Sequence, residues 1–151
     1  MPNYLLPIPH QQQQRDGDCL AACAAMVLAH LGQPLDYSQL LQLLKIKSYG
    51  APASNIRLLA QLDFTVTYGV TNMASLENML AHGQPVIVFV RANELPYWDH
   101  NSDHALVVVG YDENNIYVND PYFPDAPLTV PKGDFELAWI ERDYYYALIT
   151  L

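Results

Sequence analysis

Cys19 follows Asp18 and opens an almost wholly apolar run, Cys19 to Leu31, that Gly32 stops. Asp18 is a good helix N-cap type, so the run reads as a buried helix with Cys19 in its first turn. The first N–H groups of a helix lack internal partners and its dipole end is positive, which favours thiolate over thiol. A cysteine placed there is a ready nucleophile, although most buried cysteines are only small core residues. A nucleophile needs a base, an orienting group and a donor for the oxyanion. His104 is the strongest base candidate among the five histidines. It opens a very apolar strand, where an imidazole is out of place unless it reaches a partner or a cleft edge. His30 and His82 fall within or at the end of helices, and His10 and His100 fall in loops that read as surface.

Asp120 lies sixteen positions after His104, across a predicted hairpin, where a carboxylate could hold the imidazole and stabilise its protonated form. The register is a complication. An even connecting loop makes facing positions sum to an odd number and puts Asn119 on the His104 face. A three-residue loop, or a bulge with Asn114 or Asn115 left-handed, puts Asp120 there instead. Assigning Asp120 therefore predicts that irregularity; an Asp-Pro turn at a strand end is the plainer explanation of the same residues. Gln13, six residues before Cys19, could hold the oxyanion together with the Cys19 backbone N–H. Its neighbour Gln14 is an open alternative within the run Gln11 to Gln14.

The elements that would position these groups follow from hydrophobic period. An extended, proline-containing arm leads to the first helix. A second amphipathic helix begins near Asp36 or Ser38 and carries Leu40, Leu41, Leu43 and Leu44, and a third spans Pro52 to Leu62. The period then changes: a strand from Phe64 to Tyr68, a short helix from Met73 to His82 closed by Gly83, and a central strand from Pro85 to Val90. A polar loop from Arg91 to Asp103, with Tyr97, Trp98 and His100, is long for a plain connection and could wall a cleft. His104 to Tyr111 and Ile116 to Pro121 form a hairpin about Asp112 to Asn115. A short strand near Leu128 to Val130, a helix from about Asp134 to Ile140 and a strand from Tyr144 to Ile149 finish the chain. The run Tyr144 to Tyr146 reads by default as sheet packing. Helices first and antiparallel strands later indicate one α+β domain over residues 1–151, with segregated layers.

Composition narrows the partners. The 151 residues are 51% hydrophobic, ordinary for a globular domain able to bury its own core. Seven Lys and Arg stand against sixteen Asp and Glu, a formal charge of -9 with no basic run, which argues against nucleic acid and anionic membrane. A cationic peptide is compatible. No signal peptide and no membrane-spanning stretch is visible, so a cytoplasmic location without membrane insertion is expected. Cys19 and Cys23, one helical turn apart, are expected to stay reduced, and no cofactor or metal is expected.

The combination Gln13, Asp18-Cys19, Ala22-Cys23-Ala24-Ala25-Met26, His104-Ala-Leu-Val-Val-Val-Gly110-Tyr and Asn119-Asp120-Pro121 resembles the papain-like cysteine peptidases, in particular the bacteriocin-processing, double-glycine leader peptidase family. The resemblance covers about residues 5 to 122. It implies Cys19 as nucleophile, His104 as general base, Asp120 as orienting residue and Gln13 as oxyanion donor. It also implies a papain-like fold, a helical half packed on an antiparallel sheet, and a peptide or protein substrate. The chain departs from the pattern at Leu20, where the family usually has glycine. Many double-glycine peptidases are fused to transporter segments that these 151 residues do not include, so cysteine peptidase activity is expected ahead of cleavage after Gly-Gly, and association with a transporter is one expectation. Three readings follow: a stand-alone peptidase, an idle peptide-binding relative, and a transferase or amidase using the same groups.

Overall fold

The computed structural model describes residues 3–151, so Met1 and Pro2 of the predicted arm lie outside the described residues. The sheet has seven strands: β1 (Tyr4–Leu5), β2 (Thr65–Val70), β3 (Val86–Arg91), β4 (Asp103–Tyr111), β5 (Asn115–Asn119), β6 (Leu128–Pro131) and β7 (Tyr145–Thr150). All pairings are antiparallel in the order β2-β7-β3-β4-β5-β6, with β1 added on β4. Val86 to Val90 and His104 to Gly110 are buried throughout, as continuous apolar runs in central strands should be.

Helices cover both faces. Helix α1 (Cys19–His30) packs with α2 (Tyr37–Leu43) and the 3-10 helical stretch Ala53–Leu62 against Ile87, Phe89, Ala105, Val107 and Val109. Helices α3 (Met73–Ala81) and α4 (Lys132–Ile140) cover the other face, against Val86, Val88, Leu106 and Val108. The α+β class expected from the sequence is observed. The N-terminal helices form one layer, and the two helices interleaved with the strands form a second.

Helix α1 has few polar residues on any side and is buried almost all round, from Leu20 to Leu28. Its alanines let it lie close to the sheet, while Leu20, Met26, Val27 and Leu28 each remove a large apolar side chain from water, worth about 1.5–3 kcal/mol apiece. Pro52 to Leu62 is helical as expected, but it winds as a 3-10 helix. Its buried residues Ile56 and Leu59 are three apart, which matches a three-residue turn. The helix ends at Asp63, whose φ of 68 places it in the left-handed region.

The register of the central hairpin decides the site. Near the turn, Tyr111 faces Ile116 and Gly110 faces Tyr117; beyond a bulge at Val109, Val108 faces Val118 and Val107 faces Asn119. The irregularity needed to bring Asp120 to the His104 face is therefore present, but in strand β4. Asn114 and Asn115 are not left-handed. Their N–H groups instead donate to Asp112 Oδ1 at 2.8 and 2.7 Å, an Asx-type closure that keeps the turn even. At the bulge Gly110 admits β1: a Cβ there would collide with the Tyr4 carbonyl oxygen.

Candidate active site

Asp18, the expected cap, makes no side-chain cap bond. Its fully buried carboxylate instead takes the Arg15 guanidinium at 3.0 and 3.1 Å, the Arg15 N–H at 3.2 Å and the Tyr37 hydroxyl at 3.1 Å. The reason is local: Asp18 Oδ atoms turned toward α2 satisfy a guanidinium and a phenol at once, a better solution for a buried charge than one backbone N–H. This cluster ties the loop before Cys19 to α2. Gly17 is pressed against the backbone of residues 47–50 in the same loop, where a Cβ would meet Gly50 N at 2.5 Å and Ser48 O at 2.7 Å.

Cys19 is thus carried on the first turn of α1 with its side chain partly exposed, at the start of strand β4. It lines one cleft with His104 and Ala105, and both of these favour its thiolate form. His104 Nε2 lies 2.6 Å from Asp120 Oδ1, with His104 at 5% and Asp120 at 0% exposure. The Asp120 carboxylate is saturated. Oδ1 also accepts the Tyr122 N–H at 3.0 Å, and Oδ2 accepts the Tyr97 hydroxyl at 2.7 Å and the Trp98 indole N–H at 2.9 Å. The Trp98 ring packs on His104 with centroids 4.9 Å apart and on Tyr122 at 4.5 Å.

The electrostatics follow from this arrangement. Burial opposes ionisation of Asp120, but the imidazolium and its hydrogen bonds hold the carboxyl below its ordinary value. Burial also disfavours a charged His104, yet the Asp120 carboxylate outweighs it and, with the sulfur, brings the imidazole up to about 9. Burial raises the Cys19 thiol, and the hydrogen bond and charge of His104 overcome that, leaving it below the ordinary thiol value. Cys23, fully buried one turn further along with no such partner, is pushed well above it. The two cysteines are therefore pushed in opposite directions, Cys19 toward the thiolate and Cys23 toward an inert thiol.

Gln13 lies in the loop before Cys19. Its amide nitrogen donates to the carbonyls of Arg15 at 2.9 Å and Asp16 at 3.0 Å, and its backbone N–H to Pro121 O at 2.7 Å. It bridges the two ends of the site, while Gln14 is exposed and bonds the Tyr37 hydroxyl through its backbone. Leu20 is 3% exposed and belongs to the core under α1, so the bulky residue after Cys19 is accommodated inward. His100 is exposed, as expected of a loop residue; His10 is partly buried and sits 2.7 Å from the Phe123 carbonyl, because the N-terminal arm folds against that segment. Sequence reasoning had Tyr97 and Trp98 as cleft wall and missed their bonds to Asp120. Two aromatic N–H and O–H donors in an otherwise polar loop were the available signal. Among the described residues no group of three or more His, Cys, Asp or Glu could hold a metal ion.

A family model, described as the Peptidase_C39 like family, matches residues 5–147, nearly the whole chain and every residue of the site. The chain belongs to this family of cysteine peptidases. Curated relatives include uncharacterized proteins of Mycobacterium tuberculosis and Mycobacterium bovis, 32% identical in an alignment of 100 positions that covers 57% of this chain. The match spans 42% of those relatives' length, less than half. Among solved structures, a C39-like peptidase from Bacillus anthracis is similar with a TM-score of 0.82 at 20% identity, over 98% of this chain and 97% of that one. A double glycine motif protease from an AMS/PCAT transporter, in complex with the leader peptide, gives 0.75 at 16% identity over 97% and 94%. A Carica candamarcensis cysteine protease in complex with E-64 gives 0.68 at 14% identity over 94% and 92%. These likenesses show the papain-like fold for this C39-family chain. No helix among its described residues is long and apolar enough to cross a membrane.

Proposed function

We propose that this C39-family domain, residues 1–151, hydrolyses peptide bonds with Cys19 as nucleophile, His104 as general acid and base, Asp120 as the residue that orients His104, the Cys19 N–H as one oxyanion donor, and Gln13 as a second once an amide N–H leaves the Arg15 or Asp16 carbonyl that it meets in this structure. The observation that carries the reading is Cys19 and His104 on the wall of one cleft, with the His104 ring bonded to a buried carboxylate whose other lone pairs are filled by Tyr97, Trp98 and Tyr122. The thiolate adds to the scissile carbonyl and forms an oxyanion, which the donors at the head of α1 stabilise by roughly 3 kcal/mol each. The imidazolium gives its proton to the leaving amine as the C–N bond breaks, leaving a thioester on Cys19. His104 then takes a proton from water, the water oxygen attacks the thioester carbon, and the acid departs with the thiolate restored.

A peptide substrate is supported by the family and by the leader peptide bound to the similar transporter protease, which makes precursor processing beside a transporter the favoured setting. The burial of Leu20 leaves the nucleophile uncovered and favours a working enzyme over an idle binding relative. The expected outcome is that iodoacetamide at pH 6 alkylates Cys19 at least about a hundredfold faster than Cys23, that His104→Ala sharply slows the labelling of Cys19, and that a peptide library is cut by the protein and left intact by Cys19→Ala. Equal, slow labelling of both cysteines together with an uncut library would overturn the proposal.

A further inference from the structure

Beside Cys19 lies a cleft of ≈ 190 Å³ whose walls are mostly apolar: Leu20, Ala51 to Ala53, Phe89 and Ala105. Besides Cys19 and His104, its charged lining is Asp103 and Arg142. Asp103 Oδ1 is shared by two guanidinium groups, Arg142 at 3.6 Å and Arg91 at 3.3 Å, and the Asp103 side chain is 60% exposed. Two guanidinium groups share this one well-solvated carboxylate, and Asp16 is the acidic residue on the adjoining wall. A third cation is close by: Arg57 sits 4.9 Å over the Tyr68 ring, which meets Phe89 of the cleft wall edge-on at 5.8 Å. Of the seven basic residues, Arg142 lines the cleft, while Arg91 reaches it through Asp103 and Arg57 stands behind its Phe89 wall by way of Tyr68. Arg142 itself is only 26% exposed, and the turn that carries it is held by Arg142 N to Trp139 O at 3.0 Å and Asp143 N to Ile140 O at 2.9 Å.

We propose that this cleft is a specificity pocket for a substrate side chain bearing a carboxylate, Asp or Glu, next to the bond that Cys19 attacks, with Arg142 as the residue that selects it. The apolar walls seat the methylenes, and the guanidinium supplies a forked donor that can turn from Asp103 to the incoming carboxylate. A glycine would leave both the space and the charge unused. The inference runs against the net charge, which by itself suggests cationic substrates. It rests on the peptidase reading only for what the pocket selects, since the pocket exists whether or not the bound chain is cut.

Two readouts keep the two ideas apart. The first needs no turnover: the rates at which N-iodoacetyl-glutamate and N-iodoacetyl-glutamine alkylate Cys19. The glutamate probe is expected to react about tenfold faster at low salt, the preference shrinking as ionic strength rises. Arg142→Gln is expected to abolish the preference, and Arg142→Glu to reverse it. Equal rates in the unmodified protein, or a preference that survives Arg142→Gln in a protein whose melting temperature is unchanged, overturn the pocket. The second readout is a peptide library scanned around the cut, in which Asp or Glu is expected near the scissile bond. Cuts indifferent to acidic residues overturn the pocket and leave the peptidase; acid-selective alkylation with no cut peptide keeps the pocket and overturns the peptidase.

Discussion

A single carboxylate controls the charge state of the site. Asp120 receives four donors through two oxygens, and an isosteric amide could satisfy only the two on its remaining carbonyl oxygen. In Asp120→Asn the NH2 must face either the Tyr97 and Trp98 donors or His104 and the Tyr122 N–H, so geometry suffers along with charge. The charge effect has a definite sign. Asp120 lifts the His104 value to about 9, so its loss moves the alkaline limb of the kcat/KM profile downward from near 9. The weaker imidazolium then holds the thiolate less well, and the acid limb, set by Cys19, moves up. A narrowed bell with a maximum about 10³-fold lower is the expected profile for Asp120→Asn. Unmoved limbs would remove Asp120 from the role given to it.

At the scale of elements, the site is made by two irregular pieces of chain, and these are what the sequence conveyed least well. Helix α1, the strands β3, β4, β5 and β7 and the closing glycines at 32 and 83 were legible because apolar period and turn residues report directly on local structure. The need for a register shift between His104 and Asp120 was also legible from parity alone. Its place was not, since a bulge at Val109 depends on β1 docking against Gly110, a contact between residues a hundred positions apart. Asp18 was misread because its carboxylate is taken by Arg15, three residues before it, and by Tyr37, nineteen residues after it, and both compete with the cap. The loop before Cys19 gives the element-scale prediction. A Cβ at Gly17 would press on the backbone of Gly50 and Ser48, which cannot swing aside as a side chain would. Gly17→Ala should cost about 1–3 kcal/mol in denaturant unfolding. It should also slow alkylation of Cys19 while leaving buried Cys23 as unreactive as before. Unchanged stability and unchanged Cys19 labelling would mean that this loop yields freely and does not hold the nucleophile.

For the whole molecule, the thiolate–imidazolium pair has a consequence that can be counted in protons. Between about pH 7 and 8 the unfolded chain carries a neutral imidazole and a protonated thiol, one proton between them. In the folded chain the imidazole titrates near 9 and the thiol below its ordinary value, so once the thiol has ionised the proton that remains is on His104. The raised His104 value contributes stability that is complete below the unfolded value of about 6.5 and is lost as pH rises toward 9. The lowered Cys19 value contributes stability that is complete above the unfolded thiol value and is lost as pH falls through the folded one. The two slopes oppose each other where they overlap, so the pair gives unfolding less pH dependence than the raised His104 would alone. Cys19→Ala removes one side of the balance. The folded protein then holds one proton more than the unfolded chain, and its stability should fall by about 1.4 kcal/mol per pH unit above 6.5, until His104, still raised by Asp120, loses its proton. Denaturant unfolding of both proteins at half-unit steps from pH 6.5 to 8.5 measures the difference in slope directly, with all other titrating groups common to the two. Parallel curves would mean that the cysteine in the folded protein is an ordinary thiol, and that the charge on which the proposed chemistry depends is not there.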